Sequence, residues 1–157
     1  GVVGGMLYIL THSAAKAGLF LCAGIVEHNV HTKDMTRMGG LCKNMPVTAV
    51  AFILCAFSVM GIPPFGGFFA KYLVIDGIIS SGNIMLGIVF ILGAVMTVLY
   101  LTRLFVKVFL GPQTFPDVKE GTPSMVVSAV VLAVLTLALG VFISLPSGLA
   151  SLIGRWT

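Results

Sequence analysis

Four apolar segments dominate this chain, and they are long enough for helices that cross a lipid bilayer. They cover residues 2–26, 46–80, 84–110 and 124–153. A helical crossing takes about 20 apolar residues. Of the 157 residues, 58% are hydrophobic and 9% are charged, whereas a water-soluble domain has about a quarter of its residues charged. The sequence therefore predicts an all-α integral membrane protein, with residues 1–157 forming a single transmembrane domain of about four transmembrane helices.

The polar residues exclude several other classes of protein. The net charge of +4 does not indicate a nucleic-acid partner, because the chain has no run of basic residues and no basic–aromatic alternation. The cysteines Cys22, Cys42 and Cys55 lack paired metal-site spacing, and we interpret them as packing residues. The run from Glu27 to His31 lacks the HExxH arrangement of zinc hydrolases. We expect no metal, no cofactor and no catalytic site in this chain.

The second segment contains the stretch "GIPPFGGFFAK", which is unusual for a membrane helix. Prolines remove backbone donors and clash with the preceding turn, and glycines permit backbone angles that other residues resist. We therefore predict a helix that is broken near residues 61–67. The residues of the break are Gly61, Pro63, Pro64, Gly66 and Gly67. Unwound backbone at membrane depth is tolerated where it is buried in protein or lines a hydrated cavity. It marks ion sites in transporters, and a plain structural kink is the alternative.

The distribution of basic residues indicates how often this segment crosses the membrane. With one crossing, a single side holds Lys33, Arg37, Lys43, Lys107 and Lys119 and leaves Arg155 opposite. Two crossings would separate Lys107 and Lys119 from the other three. The excess of basic residues in inner loops favours one crossing. The loops at 27–45 and 111–123 are then expected on the cytoplasmic or matrix side. Because the chain begins with glycine inside an apolar run, we expect it to be the C-terminal fragment of a longer subunit.

Lys71 lies about one helical turn after the break, deep in the second segment. A charge at the bilayer centre costs about 2.5–3.5 kcal/mol on insertion scales. The nearer polar edge is roughly 13 Å away along a helix, too far for the lysine stem. We therefore predict that Lys71 faces protein or water. Removal from water can bring the pKa of a lysine near neutrality, so that it can load and release a proton. Asp76 either modulates Lys71 or lies nearer the outer edge.

The first segment places a second lysine at membrane depth, in "THSAAKAGLF". His12 and Lys16 are four residues apart and therefore share one helix face. Histidine titrates close to physiological pH, and the small residues around the pair leave room for close packing or water. We predict that His12 and Lys16 take part in proton translocation. The alternative for His12 is a packing histidine with a satisfied hydrogen bond.

These residues also carry a family resemblance. The segments "THSAAKAGLFLCAGIVEH" and "DMTRMGGLCKNMPVTAVAFILCAFSVMGIPPFGGFFAKYLV" closely resemble the antiporter-like subunits of respiratory complex I. The same family includes large subunits of Mrp-type cation/proton antiporters and subunits of membrane-bound hydrogenases. The resemblance covers residues 5–80. It rests on the His-x-x-x-Lys-Ala-x-Leu-Phe motif, the "MGGL" loop, the "MP" helix start and the Gly/Pro break, which occur in that order.

The resemblance implies a fold of two inverted five-helix repeats, each with a broken helix, and a central row of titratable residues. Lys16 would be the central lysine of the second repeat and His12 its relay partner. Lys71 would be the broken-helix residue near the outward exit. The glutamate–lysine pair of the first repeat is absent from these 157 residues.

Two functions therefore remain open. The first is proton or Na⁺/H⁺ translocation, as an antiporter-like subunit of a complex I-type NADH/quinone oxidoreductase or of a related hydrogenase or Mrp complex. Its partners would be other membrane subunits, including homologous antiporter-like ones, together with lipid. The alternative is a membrane anchor for a redox module without an ion path of its own. The cost of inserting Lys16 and Lys71 argues against the anchor.

Overall fold

The structure is a computed structural model that describes residues 2–143. Its helices are α1 (Val2–Val30), α2 (Pro46–Met60), α3 (Gly66–Ser80), α4 (Ile84–Phe109) and α5 (Pro123–Val141), with a short 3₁₀ turn at Leu41–Lys43. Within these residues there is no strand, so the all-α prediction is confirmed for the part described. The predicted continuation of the last segment to residue 153, and Arg155 beyond it, lie outside the described residues.

Three helices, α1, α4 and α5, are long and apolar enough to cross a membrane. The predicted segment at 46–80 corresponds to α2 followed by α3, which have 15 residues each. A helix of that length spans about 22 Å, less than the hydrocarbon core of about 30 Å. α1 continues to Val30, beyond the predicted end at residue 26. Its polar last turn stays helical because backbone carbonyls still find donors, as in the bond from His31 N to Glu27 O (2.9 Å).

α2 and α3 run one after the other along α1, in the opposite direction. A Cβ atom on Gly18 of α1 would overlap the sulfur of Cys55 in α2. Nearer the start of α1, a Cβ atom on Gly4 would lie 2.8 Å from the carbonyl carbon of Leu73 in α3. The order of these close approaches shows that α2 and α3 together follow the length of α1. They do not fold back on each other.

The two polar loops lie at the same end of the helix bundle. Gly40 N donates to Leu110 O (3.0 Å) and Thr114 N donates to Gly39 O (3.3 Å). The two N–H groups of the Asn44 side-chain amide are shared among three carbonyl oxygens of the second loop, Phe115 O, Pro116 O and Val118 O. These bonds join the loop before α2 to the loop before α5.

The core lies between α1, α2 and α5, whereas α4 is largely exposed. Cys22 and Cys55 are buried in the core and Cys42 is half-buried at its edge. The aromatic rings of Phe52, Phe105 and Phe109 pack together, with 5.2–6.1 Å between ring centroids, and attach the end of α4 to the middle of α2. The exposed side chains of α4 are mostly large and apolar, which suits a helix whose solvent is lipid or another membrane helix.

Candidate functional site

The break between α2 and α3 is built by a left-handed glycine. Gly61 ends α2 with φ 83°, a backbone conformation that favours glycine because it has no Cβ. The Gly61 and Ile62 N–H groups both donate to Phe57 O at 3.0 Å, which closes the last turn. Pro63 and Pro64 occupy the non-helical residues that follow, and α3 begins at Gly66.

Lys71 reaches back from α3 across this break. Its Nζ donates to Met60 O, the last carbonyl of α2, at 3.0 Å. The carbonyl end of a helix carries partial negative charge and lacks intrahelical donors, so it is a favourable position for an ammonium group. Lys71 is 9% exposed. No carboxylate of the described residues lies within ion-pair distance of Lys71. The ion pair in this part of the chain joins Lys33 to Glu27.

Three glycines bring backbones close enough to enclose the break. A Cβ atom on Gly67 would overlap Ser58 O, and one on Gly140 of α5 would overlap Pro64 O. A Cβ atom on Gly66 would lie 2.8 Å from Cγ2 of Thr11 in α1. The predicted break residues thus act as contact surfaces for α1, α2 and α5. Gly140, which completes the enclosure, was not predicted.

Ser58 lies in the last turn of α2, two residues before Met60, at this junction. It is 1% exposed, and its Oγ has no hydrogen-bond partner within the described part of the chain. An added Cβ on Gly67 would lie 3.4 Å from this oxygen. A buried unpaired hydroxyl is energetically unfavourable. Ser58 Oγ is therefore a polar position that could take part in hydrogen bonding at the break.

His12 and Lys16 lie together on α1, as predicted, and both are half-buried. The ring of Tyr8, one turn earlier, stacks on His12 with 5.2 Å between ring centroids. Lys16 Nζ lies 3.4 Å from the hydroxyl oxygen of Tyr100 in α4 and 5.9 Å from the centre of its ring. This face of α1 is more open than the break.

Thr11, the residue before His12, connects this face of α1 to the break. Its Cγ2 atom would lie 2.8 Å from a Cβ atom on Gly66, the first residue of α3. Asp76 is exposed on α3, and it forms no ion pair with Lys71 in residues 2–143. Its role as a modulator stays a prediction.

Four contact residues were not predicted from the sequence: Tyr8, Ser58, Tyr100 and Glu120. Tyr8 is four residues before His12, so the same spacing argument that paired His12 with Lys16 could have included it. Glu120 accepts hydrogen bonds from Val47 N and Thr48 N at the first turn of α2, at 3.1 Å each. It is far from α2 in sequence, and no local pattern indicates the contact.

Comparison with known proteins identifies the family. The family model described as "NADH:quinone oxidoreductase/Mrp antiporter, TM" matches residues 1–97. The chain is 42% identical to NADH-quinone oxidoreductase subunit L of Mycobacterium tuberculosis over 110 residues, which are 68% of the chain and 17% of that protein. It is 30% identical to Na(+)/H(+) antiporter subunit A1 of Staphylococcus saprophyticus over 157 residues, 91% of the chain and 20% of that protein.

The fold is also found in solved membrane complexes. A chain of the Mrp complex from Dietzia sp. matches with a TM-score of 0.86 and 28% identity, over 96% of this chain and 37% of that one. A chain of an archaeal membrane-bound sulfane sulfur reductase matches with a TM-score of 0.85 and 27% identity, over 90% of this chain and 24% of that one. The chain spans about a fifth of the length of the curated relatives named above. These matches confirm the resemblance found in the sequence: the chain belongs to the NADH:quinone oxidoreductase/Mrp antiporter transmembrane family.

Proposed function

We propose that this chain is part of an antiporter-like subunit that translocates protons across a membrane, with Na⁺ as a second candidate ion. Membership of the family supports the proposal, because relatives are named NADH-quinone oxidoreductase subunit L and Na(+)/H(+) antiporter subunit A1. The parent assembly is then a complex I-type oxidoreductase or a related Mrp or hydrogenase-type complex. The chain itself carries part of the ion path.

The observation that carries the proposal is the position of Lys71. Its ammonium group is buried at a helix break and is bonded to the end of α2 by one hydrogen bond. A lysine locked in a carboxylate ion pair would be costly to deprotonate. One bond to a neutral carbonyl holds the side chain in place and still lets the proton leave. Lys71 is therefore the group that we assign to proton exchange with the outer side.

His12 and Lys16 form the inner part of the proposed path. They lie one helical turn apart on the same face of α1. At this spacing a change of protonation at one group alters the energy of the other, which a relay requires. Ser58 adds a buried hydroxyl group beside the break. The hydroxyl of Thr11 instead donates to Leu7 O within α1.

In the membrane, α2 and α3 would make one interrupted crossing, so that four crossings result with α1, α4 and α5. The loops at 27–45 and 111–123 would face the cytoplasm or the matrix, because they hold four basic residues, Lys33, Arg37, Lys43 and Lys119. Other membrane subunits and lipid would cover the exposed apolar face of α4. The repeat relationship of the family would make this chain part of a second inverted repeat.

The proposal is tested by changing Lys71 in the complete subunit and measuring proton transport by the assembled complex in vesicles. Lys71→Met keeps the length of the side chain but cannot bind a proton, and we expect transport to fall at least tenfold. Lys71→Glu restores a titratable group. Burial lowers the pKa of a lysine and raises that of a glutamate, so either residue can approach neutral pH. We expect this variant to keep measurable transport. Normal transport by Lys71→Met in assembled complexes would contradict the proposal and favour a membrane anchor.

A further inference from the structure

Tyr100 and Lys16 make a contact between α4 and α1 that the proposed path does not use. Lys16 Nζ lies 3.4 Å from the phenol oxygen of Tyr100. The same nitrogen is 5.9 Å from the ring centre, at the outer limit for a cation–π interaction. The hydroxyl group is therefore the main point of contact, and the ring adds a weaker attraction.

The surrounding side chains support a built arrangement. Tyr8 stacks on His12 and also meets Phe90 of α4 edge-on, with 6.4 Å between ring centroids. Tyr8, His12 and Lys16 follow one another at intervals of four residues, so one face of α1 presents all three. Two residues of α4, Phe90 and Tyr100, contact this face. The titratable face of α1 is thus bracketed by aromatic side chains at both of its ends.

We propose that Tyr100 is a positioning residue for Lys16, which it holds on the α4 side of the α1 face through its phenol hydroxyl. This inference rests on the proposed function, because it assigns Tyr100 a part in the same proton path. Tyr100 does not itself carry the proton. It fixes where the Lys16 amine lies between transfers.

The chemistry of a phenol suits this task. A lysine ammonium group is a donor without an acceptor, whereas a tyrosine hydroxyl both donates and accepts. Tyr100 can accept a hydrogen bond from the charged ammonium and donate one to the neutral amine. It can therefore remain a partner of Lys16 in both protonation states. A carboxylate at the same position would favour the charged state strongly.

The length of the contact is consistent with reversible binding. A distance of 3.4 Å is long for a hydrogen bond, and Tyr100 is 45% exposed. A contact of this strength orients the side chain without trapping it. Lys16 can leave Tyr100 and reach toward His12, one turn away on the same helix.

The direct test is infrared spectroscopy of the assembled complex that contains the complete subunit with isotope-labelled tyrosine. The C–O stretch of a phenol responds to its hydrogen bonds. The infrared spectrum of the wild type minus that of Lys16→Met should therefore show a tyrosine difference band. The same subtraction in a Tyr100→Phe background should show none. Absence of the band in the first comparison, or its persistence in the second, would overturn the inference without bearing on transport.

A transport series provides the second test. Tyr100→Phe fills the same space and removes only the hydroxyl group. We expect transport to fall about three- to tenfold, the size of one lost hydrogen bond. Transport should fall further in Tyr100→Leu, which also removes the ring. Tyr72 is the matched control, since it lies on α3 and is 61% exposed. Tyr72→Phe should transport at the wild-type rate.

The outcomes separate the two proposals. Wild-type transport by Tyr100→Phe, together with an inactive Lys16→Met, would show that Lys16 acts without Tyr100 and would overturn the inference alone. Wild-type transport by Lys16→Met would remove Lys16 from the path and contradict that part of the proposed function. An equal loss in Tyr100→Phe and Tyr72→Phe would indicate a general effect of losing a tyrosine and would overturn the positioning role.

Discussion

α2 is bound at its first turn by the carboxylate of Glu120 and at its last turn by the ammonium group of Lys71, so its two ends can be compared directly. Glu120 accepts hydrogen bonds from Val47 N, Thr48 N and Thr48 Oγ1. Lys71 makes one bond, to Met60 O. Both charges have the sign that stabilises a helix end. The first end is bound by three hydrogen bonds and the second by one.

This difference separates a structural contact from a functional one. The first turn of α2 lies where the two loops meet, and hydrogen bonds from Asn44 reinforce the junction. Breaking the Glu120 contact would leave two backbone donors, Val47 N and Thr48 N, without this acceptor. At the other end, release of Lys71 frees one carbonyl, and that loss is small enough to accompany each cycle of proton transfer.

The largest effect that we expect follows from filling the enclosure around Lys71. Gly67→Ala would place a methyl group on Ser58 O, a backbone atom that cannot move without displacing α2. Overpacking of this kind costs about 3 kcal/mol or more, so we expect poor assembly and a large drop in thermal stability. Gly93→Ala in α4, where an added Cβ meets no atom within 4 Å, is the control and should be neutral. If Gly67→Ala assembled normally, the break would be loosely packed, and the comparison between the two ends would fail.

A second prediction contrasts the two lysines by replacing each with arginine. Guanidinium keeps its charge under all physiological conditions, so either variant should lose transport by at least tenfold. Lys16 is half-buried beside an open face, and Lys16→Arg should assemble normally. Lys71 is enclosed, with its Cδ atom 2.9 Å from the position of a Cβ on Gly61. Lys71→Arg should therefore also reduce assembly. Normal transport by Lys16→Arg would show that this group does not carry a proton.

A change at the first turn of α2 should lower the stability of the protein and leave its transport rate unchanged. Glu120→Ala removes the cap of the first turn, and we expect a loss of about 1–2 kcal/mol. The transport rate of each assembled complex should remain that of the wild type. Glu27→Ala is the control. The Glu27 carboxylate lies 3.3 Å from the exposed Lys33 amine, and surface ion pairs contribute little to stability. A loss of transport in stable Glu120→Ala complexes would mean that this end also has a functional role.

The sequence predicted the features that depend on local chemistry. Glycines and prolines within an apolar run indicated the break, and the cost of a charge in lipid drew attention to Lys16 and Lys71. Contacts between segments that are distant in sequence could not be predicted. The Lys16–Tyr100 pair joins residues 84 positions apart and the Glu120–Thr48 pair residues 72 positions apart. No sequence pattern around a single tyrosine in a membrane helix, or around a glutamate in a loop, indicates which distant residue it contacts.

The smallest expected effect concerns Ser58, and it asks how the functional end of α2 is solvated. Ser58 Oγ is buried without a protein partner in residues 2–143. If the hydroxyl is unpaired in the membrane, Ser58→Ala removes an unfavourable group and should raise the free energy of unfolding by about 1 kcal/mol. Ser13→Ala is the control, because the exposed Ser13 hydroxyl donates to Ile9 O at 2.6 Å and its loss should not stabilise. Thermal unfolding of the purified complex measures both. Destabilisation by Ser58→Ala would contradict the expectation. It would mean that the hydroxyl binds a buried water, since ordered water satisfies such groups, and the end of α2 held by Lys71 would then be hydrated.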